Sequence, residues 1–176
     1  MTAIVAIKHA GIVYIGGDSA GSSNSQIRVR KDCKVHKVGS VIFGFSGSFR
    51  VGQLLAHALQ FPARPAGLDA AAFMVTLVAD AVRECLKVGG CDIADGSGVE
   101  VLIGYQGHIF NLQGDYQVEE LTKPYNAIGS GAEIALGALY ATEAANMAPE
   151  DRIKLALKAA EHFCTEVSGP FHIIHS

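Results

Sequence analysis

Residues 1–18 read as two short, mostly apolar strands folded about a tight turn, with Thr2 at the front edge and Asp18 at the back. Ala3 to Lys8 forms the first strand, His9-Ala10-Gly11 the turn, and Ile12 to Gly17 a second strand rich in β-branched residues. Strands this apolar have to be covered by the rest of the chain.

The remaining sequence alternates in kind. Asp18 to Gln26 is small and polar and reads as a loop, and Ile27 to Cys33 as an extended stretch. Lys34 to Val38 and Val41 to Phe45 form a hairpin across Gly39-Ser40. Gly47-Ser48 opens a helix to about Gln60 with Val51, Leu54, Leu55, Ala58 and Leu59 on one side. After a break at Phe61 to Gly67, Asp69 caps a helix with apolar residues at 70, 73, 74, 77, 78, 81, 82, 85 and 86. That is a helical stripe. Gly89 to Gly98 is a glycine- and aspartate-rich connection. Val99 to Tyr105 and His108 to Leu112 form another hairpin, and Gln117 to Leu121 adds a strand. Ala127 to Gly131 ends a strand in a turn, a helix runs from Ala132 to about Ala145, and Pro149 starts the last helix. Phe171 to His175 closes the chain as a strand. Antiparallel hairpins alternating with helix pairs predict an α+β fold, a four-layer αββα sandwich with both sheets buried between helices.

The 176 residues suit one domain, 1–176. With 49% hydrophobic and only 18% charged residues, a disordered chain is excluded. Low charge and positive mean hydropathy also point to surface covered by partner subunits. The net charge is −3 and no basic run occurs, so there is no footprint for nucleic acid. No apolar run is long enough to span a membrane, and no basic segment leads an apolar core at the N-terminus. Cys33, Cys85, Cys91 and Cys164 are scattered without a CxxC pair and read as reduced thiols. A cytoplasmic protein is expected.

Candidate chemistry begins at Thr2. A small residue after Met1 permits removal of the methionine, which leaves a threonine carrying both a free α-amine and a hydroxyl. A nucleophile and a base on one residue is a route to an activated threonine. Asp18 and Lys34 stand at strand boundaries beside the hairpin. A lysine ammonium beside the Thr2 hydroxyl stabilises negative charge developing on that oxygen, with Asp18 holding the lysine. The α-amine, with a reference pKa of about 7.7–8.0, is suited to shuttle a proton near neutral pH. Lys8, Lys31 and Lys37 compete for this role on chemistry alone.

Gly17-Asp18-Ser19-Ala20-Gly21 offers a rival nucleophile. Chymotrypsin-like proteases place their histidine and aspartate upstream of such a motif, and there is no room for them here. A GDS-type serine esterase using Ser19 needs an aspartate three residues before a histidine near the C-terminus. His172 and His175 have no such aspartate. Three residues apart on a strand, these histidines face opposite sides and lack a third ligand for zinc. The glycines at 16, 17 and 21 lack the lysine of a P-loop, and no parallel βαβ unit is present for a dinucleotide. No cofactor is expected.

The spacing of Thr2, Asp18 and Lys34 resembles the N-terminal signature of proteasome β-type subunits and the bacterial HslV peptidase. Gly44-Phe45-Ser46-Gly47-Ser48 resembles the family's small-residue turn before the first helix. Ala127-Ile128-Gly129-Ser130-Gly131 resembles its Ala-Ile-Gly-Ser-Gly turn, and Phe171-His172-Ile173-Ile174 the terminal strand of HslV. The similarity spans nearly the whole chain. Two features depart from the pattern. Thr165 stands where proteasome subunits place an aspartate before Ser168-Gly169, and the loop at Ser19 to Ser23 differs from that of HslV. A less studied bacterial β-type branch would account for both.

The resemblance implies an N-terminal-nucleophile (Ntn) hydrolase: a threonine endopeptidase in stacked rings of six or seven members, acting on peptides or unfolded proteins. An ATP-dependent unfoldase partner is implied, as is a catalytically silent ring subunit if Thr2 stays blocked. Thr2 would attack, Lys34 would lower the pKa of its hydroxyl, and Asp18 would orient Lys34. Gly47 would give an N–H to the oxyanion, Ser130 would join the proton relay, and Ser168 would assist. Substrate would lie as an added strand between Ala20-Gly21-Ser22 and Gly47. Ala20, Asp32, His36, Phe45 and Phe49 would shape the first specificity pocket.

Overall fold

The computed structural model describes residues 2–23, 26–91 and 98–176, with the backbone alone for Ser22 and Ser23. Met1 and most of the predicted Gly89–Gly98 connection lie outside the described residues. Strands β1 (Ile4–His9) and β2 (Ile12–Gly17) form the N-terminal hairpin, in register from Ile4↔Gly17 to His9↔Ile12. On its outer edges pair β10 (Tyr125–Ile128), beside β1, and β11 (His172–His175), beside β2. The first hairpin is therefore the centre of an antiparallel sheet, β10-β1-β2-β11. A second antiparallel sheet is a meander of β5 (Val35–Val38), β6 (Val41–Ser46), β7 (Glu100–Tyr105), β8 (His108–Leu112) and β9 (Val118–Glu120).

The stretch expected as a loop, Asp18 to Gln26, contains a strand instead, and the stretch expected as extended supplies most of its partner. β3 (Ala20–Ser23) pairs with β4 (Gln26–Val29), with Ala20 opposite Val29. The small residues of β3 carry no apolar alternation, so its strand character rests on backbone pairing and leaves no trace in the residue pattern.

Helix α1 (Phe49–His57) follows β6. Then α2 (Ala70–Phe73), a π-helical turn (Met74–Val78) and α3 (Ala79–Val88) run on as one rod. Asp69 caps it, accepting from the Ala72 N–H at 2.8 Å. The π turn shifts the helical register by one position. The predicted stripe holds at Ala70, Phe73 and Met74, then passes to Val78, Ala79, Val82 and Leu86, while Leu77 is exposed. Helices α4 (Ala132–Ala141) and α5 (Pro149–Phe163) pack on the other side, with Pro149 at the first turn, where no N–H is needed.

Three cores separate four layers. Val5, Ile7, Leu139, Ile153 and Leu157 fill the space between α4/α5 and the first sheet. Ile4, Ala6, Val13, Ile15, Ile42 and Leu102 fill the space between the sheets. Phe43, Phe45, Phe73, Val82, Leu86 and Phe110 fill the space between the second sheet and α1–α3. Successive residues of β1 thus enter two different cores, the period-two alternation of a strand buried on both faces. Each large side chain so placed contributes about 1.5–3 kcal/mol. This is the αββα sandwich of the Ntn hydrolases. Its second residue, Thr2, is held between the layers at 2% exposure.

Candidate active site

Thr2 stands two residues before β1, Asp18 follows β2, and Lys34 immediately precedes β5. Pairing of β1 with β2 brings Asp18 back beside Thr2, and the Asp18 N–H donates to the Ala3 carbonyl at 3.2 Å. Packing of the two sheets then delivers Lys34. Its Nζ donates to Thr2 Oγ1 at 2.9 Å and to Asp18 Oδ1 at 2.8 Å, and neither charged side chain has exposed surface. Three backbone N–H groups also converge on Asp18. Ala3 donates to Oδ1 at 3.0 Å, and Ala20 and Ser168 donate to Oδ2 at 3.0 and 3.4 Å. The carboxylate is thus satisfied without water, which lets a buried ion pair exist.

Burial holds the Lys34 ammonium below the ordinary lysine value, opposed by the Asp18 charge and hydrogen bond and reinforced by the Arg30 charge. A lysine so placed is a cation at the Thr2 hydroxyl, yet easier to deprotonate than one in water. Of the competing lysines, Lys37 donates to the His175 carbonyl on the surface and Lys8 is exposed.

The turn after β10 holds the other side of Thr2. The Thr2 nitrogen donates to Ser130 Oγ at 3.1 Å, and Ser130 Oγ donates to the Thr2 carbonyl at 3.4 Å. The Gly131 N–H reaches the same carbonyl at 3.1 Å. Gly129 has φ +91°, and a Cβ there would overlap the Thr2 carbonyl. The Cys164 thiol, at the end of α5, donates to Ser130 Oγ at 3.9 Å. Gly47, at the turn between β6 and α1, has φ +88°, and an added Cβ would press on the Gly98 carbonyl at 2.9 Å. Only glycine suits that turn.

Ser168 meets the site through its amide, since its hydroxyl donates to the Gly169 carbonyl at 3.4 Å. Ala20 is wholly buried and also acts through its N–H, while Gly21 lies against the Arg30 side chain. The Ser22 side chain lies outside the described residues. Asp32, His36 and Phe45 line one open cleft of about 360 Å³. Phe49 touches Phe45 edge-on, with ring centroids 5.6 Å apart, at the α1 end of that cleft. Arg30 is a site residue that no sequence motif marks. It grips Asp32 with two hydrogen bonds, 2.7 and 2.6 Å, and lies 3.8 Å over the Phe49 ring. Arg30 and Asp32 stand two residues apart just past β4, and that opposite-charge spacing was the available signal.

Ser19 turns away from this chemistry. It is 1% exposed, and its hydroxyl donates to the Pro170 carbonyl at 2.6 Å. No cluster of three metal-ligating side chains exists among the described residues, and no helix there is long and apolar enough to cross a membrane. The four cysteines are free thiols.

A sandwich with threonine, aspartate and lysine gathered at the ends of its strands defines a class, and sequence agrees. The family described as Proteasome subunit matches residues 2–170, and this chain belongs to it. Among solved structures, it is similar to Thiobacillus denitrificans BPH at 25% identity and TM-score 0.82, over 99% of this chain and 97% of that one. It shares its fold with the eukaryotic HslV of Trypanosoma brucei, at 14% identity, 98% of each chain and TM-score 0.71. It also shares it with Anbu of Yersinia bercovieri, at 14% identity and TM-score 0.71, over 98% of this chain and 80% of that one. No curated protein sequence matches it.

Proposed function

We propose that this protein is a threonine endopeptidase whose nucleophile is Thr2 after removal of Met1. The observation that carries this reading is the buried contact of Lys34 Nζ with both Thr2 Oγ1 and Asp18. A lysine in full burial costs several kcal/mol unless paired, and here it is paired with Asp18 while also donating to the Thr2 hydroxyl.

In this mechanism Thr2 Oγ1 attacks a peptide carbonyl carbon while its proton passes to the Thr2 α-amine. The Lys34 ammonium stabilises the charge on Oγ1 as it develops, and the Gly47 N–H takes the substrate oxyanion. Such a donor is worth about 3–4 kcal/mol. The tetrahedral centre collapses, the C–N bond breaks, and the leaving amine takes the proton from the α-ammonium. The acyl group now sits on Oγ1 as an ester. Water attacks the ester carbonyl as the α-amine takes its proton, the C–Oγ1 bond breaks, and the α-ammonium returns the proton to Thr2 Oγ1 as the second product leaves as a carboxylic acid. Ser130, in contact with the Thr2 nitrogen, keeps that amine oriented.

We further propose that the chain works in the cytoplasm as stacked homo-oligomeric rings of six or seven members, fed unfolded protein by an ATP-dependent unfoldase. Enclosure suits a peptidase working among folded proteins, which cannot reach an enclosed chamber. Peptide would add as a strand between the β3 edge at Ala20 to Ser22 and Gly47.

The test compares wild type, Thr2→Ala and Ser19→Ala. Mass spectrometry reads the N-terminal residue, fluorogenic peptides and short-chain esters read activity, and sedimentation reads assembly. The expected result is a mature chain beginning at Thr2 that cleaves peptides, loses activity in Thr2→Ala and binds epoxomicin, the ligand of one Thiobacillus BPH structure. Peptide cleavage surviving Thr2→Ala would overturn the reading. An intact Met1 with no hydrolysis would mark a silent ring subunit instead.

A further inference from the structure

The cleft beside Lys34 has a charge pattern that the catalytic chemistry does not use. One wall is the face of α1 carrying Arg50, Gln53 and His57, which follow at i, i+3 and i+7 and so share a side. The facing wall is Asp32, His36 and Phe45. At about 360 Å³ the cleft has room for one large side chain. Lys34 links it to the nucleophile, because the Phe45 N–H donates to the Lys34 carbonyl at 3.1 Å and Lys34 Nζ lies 5.7 Å from the Phe49 ring.

Asp32 is the one acid in this lining, and it is closed. Both of its oxygens are held by Arg30. Arg30 in turn is fixed on the Phe49 ring, which braces the clamp. His36 stacks on Phe45, with centroids 6.3 Å apart and planes 12° from parallel, and meets the His57 ring edge at 6.5 Å. Burial, with His57 nearby, holds His36 below the ordinary histidine value, so it lines the cleft as a neutral aromatic. Arg50 is different. Among the described residues its guanidinium meets one carbonyl, that of Gly89 at 3.3 Å, and no carboxylate.

The cleft therefore presents a neutralised acid, an aromatic floor and a row of donors led by one uncompensated cation. We propose that it takes an acidic side chain, glutamate or aspartate, from the residue on the N-terminal side of the cleaved bond, with Arg50 as its carboxylate partner. Arginine meets a carboxylate with two parallel hydrogen bonds. A basic side chain would meet Arg50 with no open acid to offset it, which is discrimination by repulsion. The Arg30–Asp32 clamp is part of the same device, because an open Asp32 would invite a basic residue.

This inference rests on the threonine peptidase reading, and the experiment separates the two. Peptides identical except for Glu, Phe or Arg before the reporter group are assayed with wild type, Thr2→Ala, Arg50→Glu and Arg30→Ala. The expected wild-type kcat/KM is highest for Glu and at least tenfold above Arg. In Arg50→Glu the Glu/Phe ratio falls at least tenfold, and in Arg30→Ala the Arg/Glu ratio rises. A wild type that prefers Arg or Phe, or a Glu/Phe ratio indifferent to Arg50→Glu, overturns the acidic cleft and leaves the peptidase standing. If no peptide is cleaved, or cleavage survives Thr2→Ala, the peptidase reading fails. Calorimetric titration with capped peptide amides ending in Glu, Phe or Arg then decides the cleft. Tenfold tighter binding of the Glu amide, lost in Arg50→Glu, upholds it, and equal or absent binding overturns it.

Discussion

Lys34 Nζ lies 2.9 Å from Thr2 Oγ1, inside a site where the lysine side chain has no exposed surface. The contact exists because Asp18 accepts the same ammonium at 2.8 Å. Lys34→Met removes the cation and leaves Asp18 buried with its three backbone donors. Breaking one side of a buried pair costs about 3–5 kcal/mol, and those donors set the expected cost near the lower end. Peptide hydrolysis should fall by roughly 100-fold or more, as for other charge-stabilising groups. Denaturant unfolding and kcat/KM measured on the same preparations check both. A variant that folds and keeps near-normal turnover would remove Lys34 from the chemistry.

The pH dependence stems from the same burial. Lys34 titrates below the ordinary lysine value, about 10.4, chiefly through desolvation. Between its folded and unfolded values the unfolded chain binds more protons, so this group's contribution to stability rises with pH across that window. Activity runs the other way, since the ammonium is lost there. An alkaline fall in kcat/KM is expected below the usual lysine range, without a parallel loss of stability from this group. The Arg30 charge lowers Lys34 further, so Arg30→Gln should move that fall to higher pH. Arg30 is about a third exposed, at 37%, and solvent screening keeps the shift small. A pH–rate profile of both proteins reads it, and a shift to lower pH in Arg30→Gln contradicts the assignment.

Much of this site was legible because it sits on strand boundaries. The apolar hairpin fixes Thr2 and Asp18 at opposite ends of paired strands, and the Val35–Val38 hairpin fixes Lys34 just before its first strand. Ser130 was reached only through the resemblance of Ala127-Ile128-Gly129-Ser130-Gly131 to the family's turn. What stayed hidden depends on long returns of the chain or on backbone atoms. The Ser168 N–H reaches Asp18 from 150 positions away, and no side-chain pattern encodes an amide. β3, Ala-Gly-Ser-Ser, likewise has no apolar alternation to mark it. The π turn at Met74–Val78 leaves the hydrophobic composition intact while moving the buried face, so periodicity placed Leu77 inside and the structure places it outside.

Gly129 sets how closely the turn after β10 approaches the nucleophile. Its φ of +91° and the overlap of any Cβ with the Thr2 carbonyl make Gly129→Ala unfavourable twice over. The backbone strain alone costs about 1–3 kcal/mol, and relieving the overlap has to displace Thr2 or the turn that carries Ser130. A misplacement of about 1 Å costs roughly 100-fold in rate. Gly129→Ala should therefore lose activity at temperatures where most of it is still folded. Circular dichroism melts beside kcat/KM test this, and a variant losing stability but retaining full activity would show that Thr2 does not depend on this turn.

Cys164 gives the last test, because its thiol reaches Ser130 Oγ, the same oxygen that accepts from the Thr2 nitrogen. A thiol is a weak donor, and 3.9 Å is a long contact. Cys164→Ala should therefore lower kcat/KM by less than about tenfold, whereas Ser130→Ala, which strips the oxygen that orients the amine, should cost more, toward the roughly 100-fold of a positioned proton-transfer group. Bulk is another matter. Cys164 is half-buried beside Ser130, and alkylation adds atoms next to the relay. Cys33 lines the specificity cleft and would confuse the result, so the experiment belongs in a Cys33→Ser background. There, iodoacetamide should reduce kcat/KM well beyond the loss seen in Cys164→Ala, and the Cys33→Ser, Cys164→Ala double variant should resist it. Equal inactivation of both proteins would place the sensitive thiol elsewhere and detach Cys164 from Ser130.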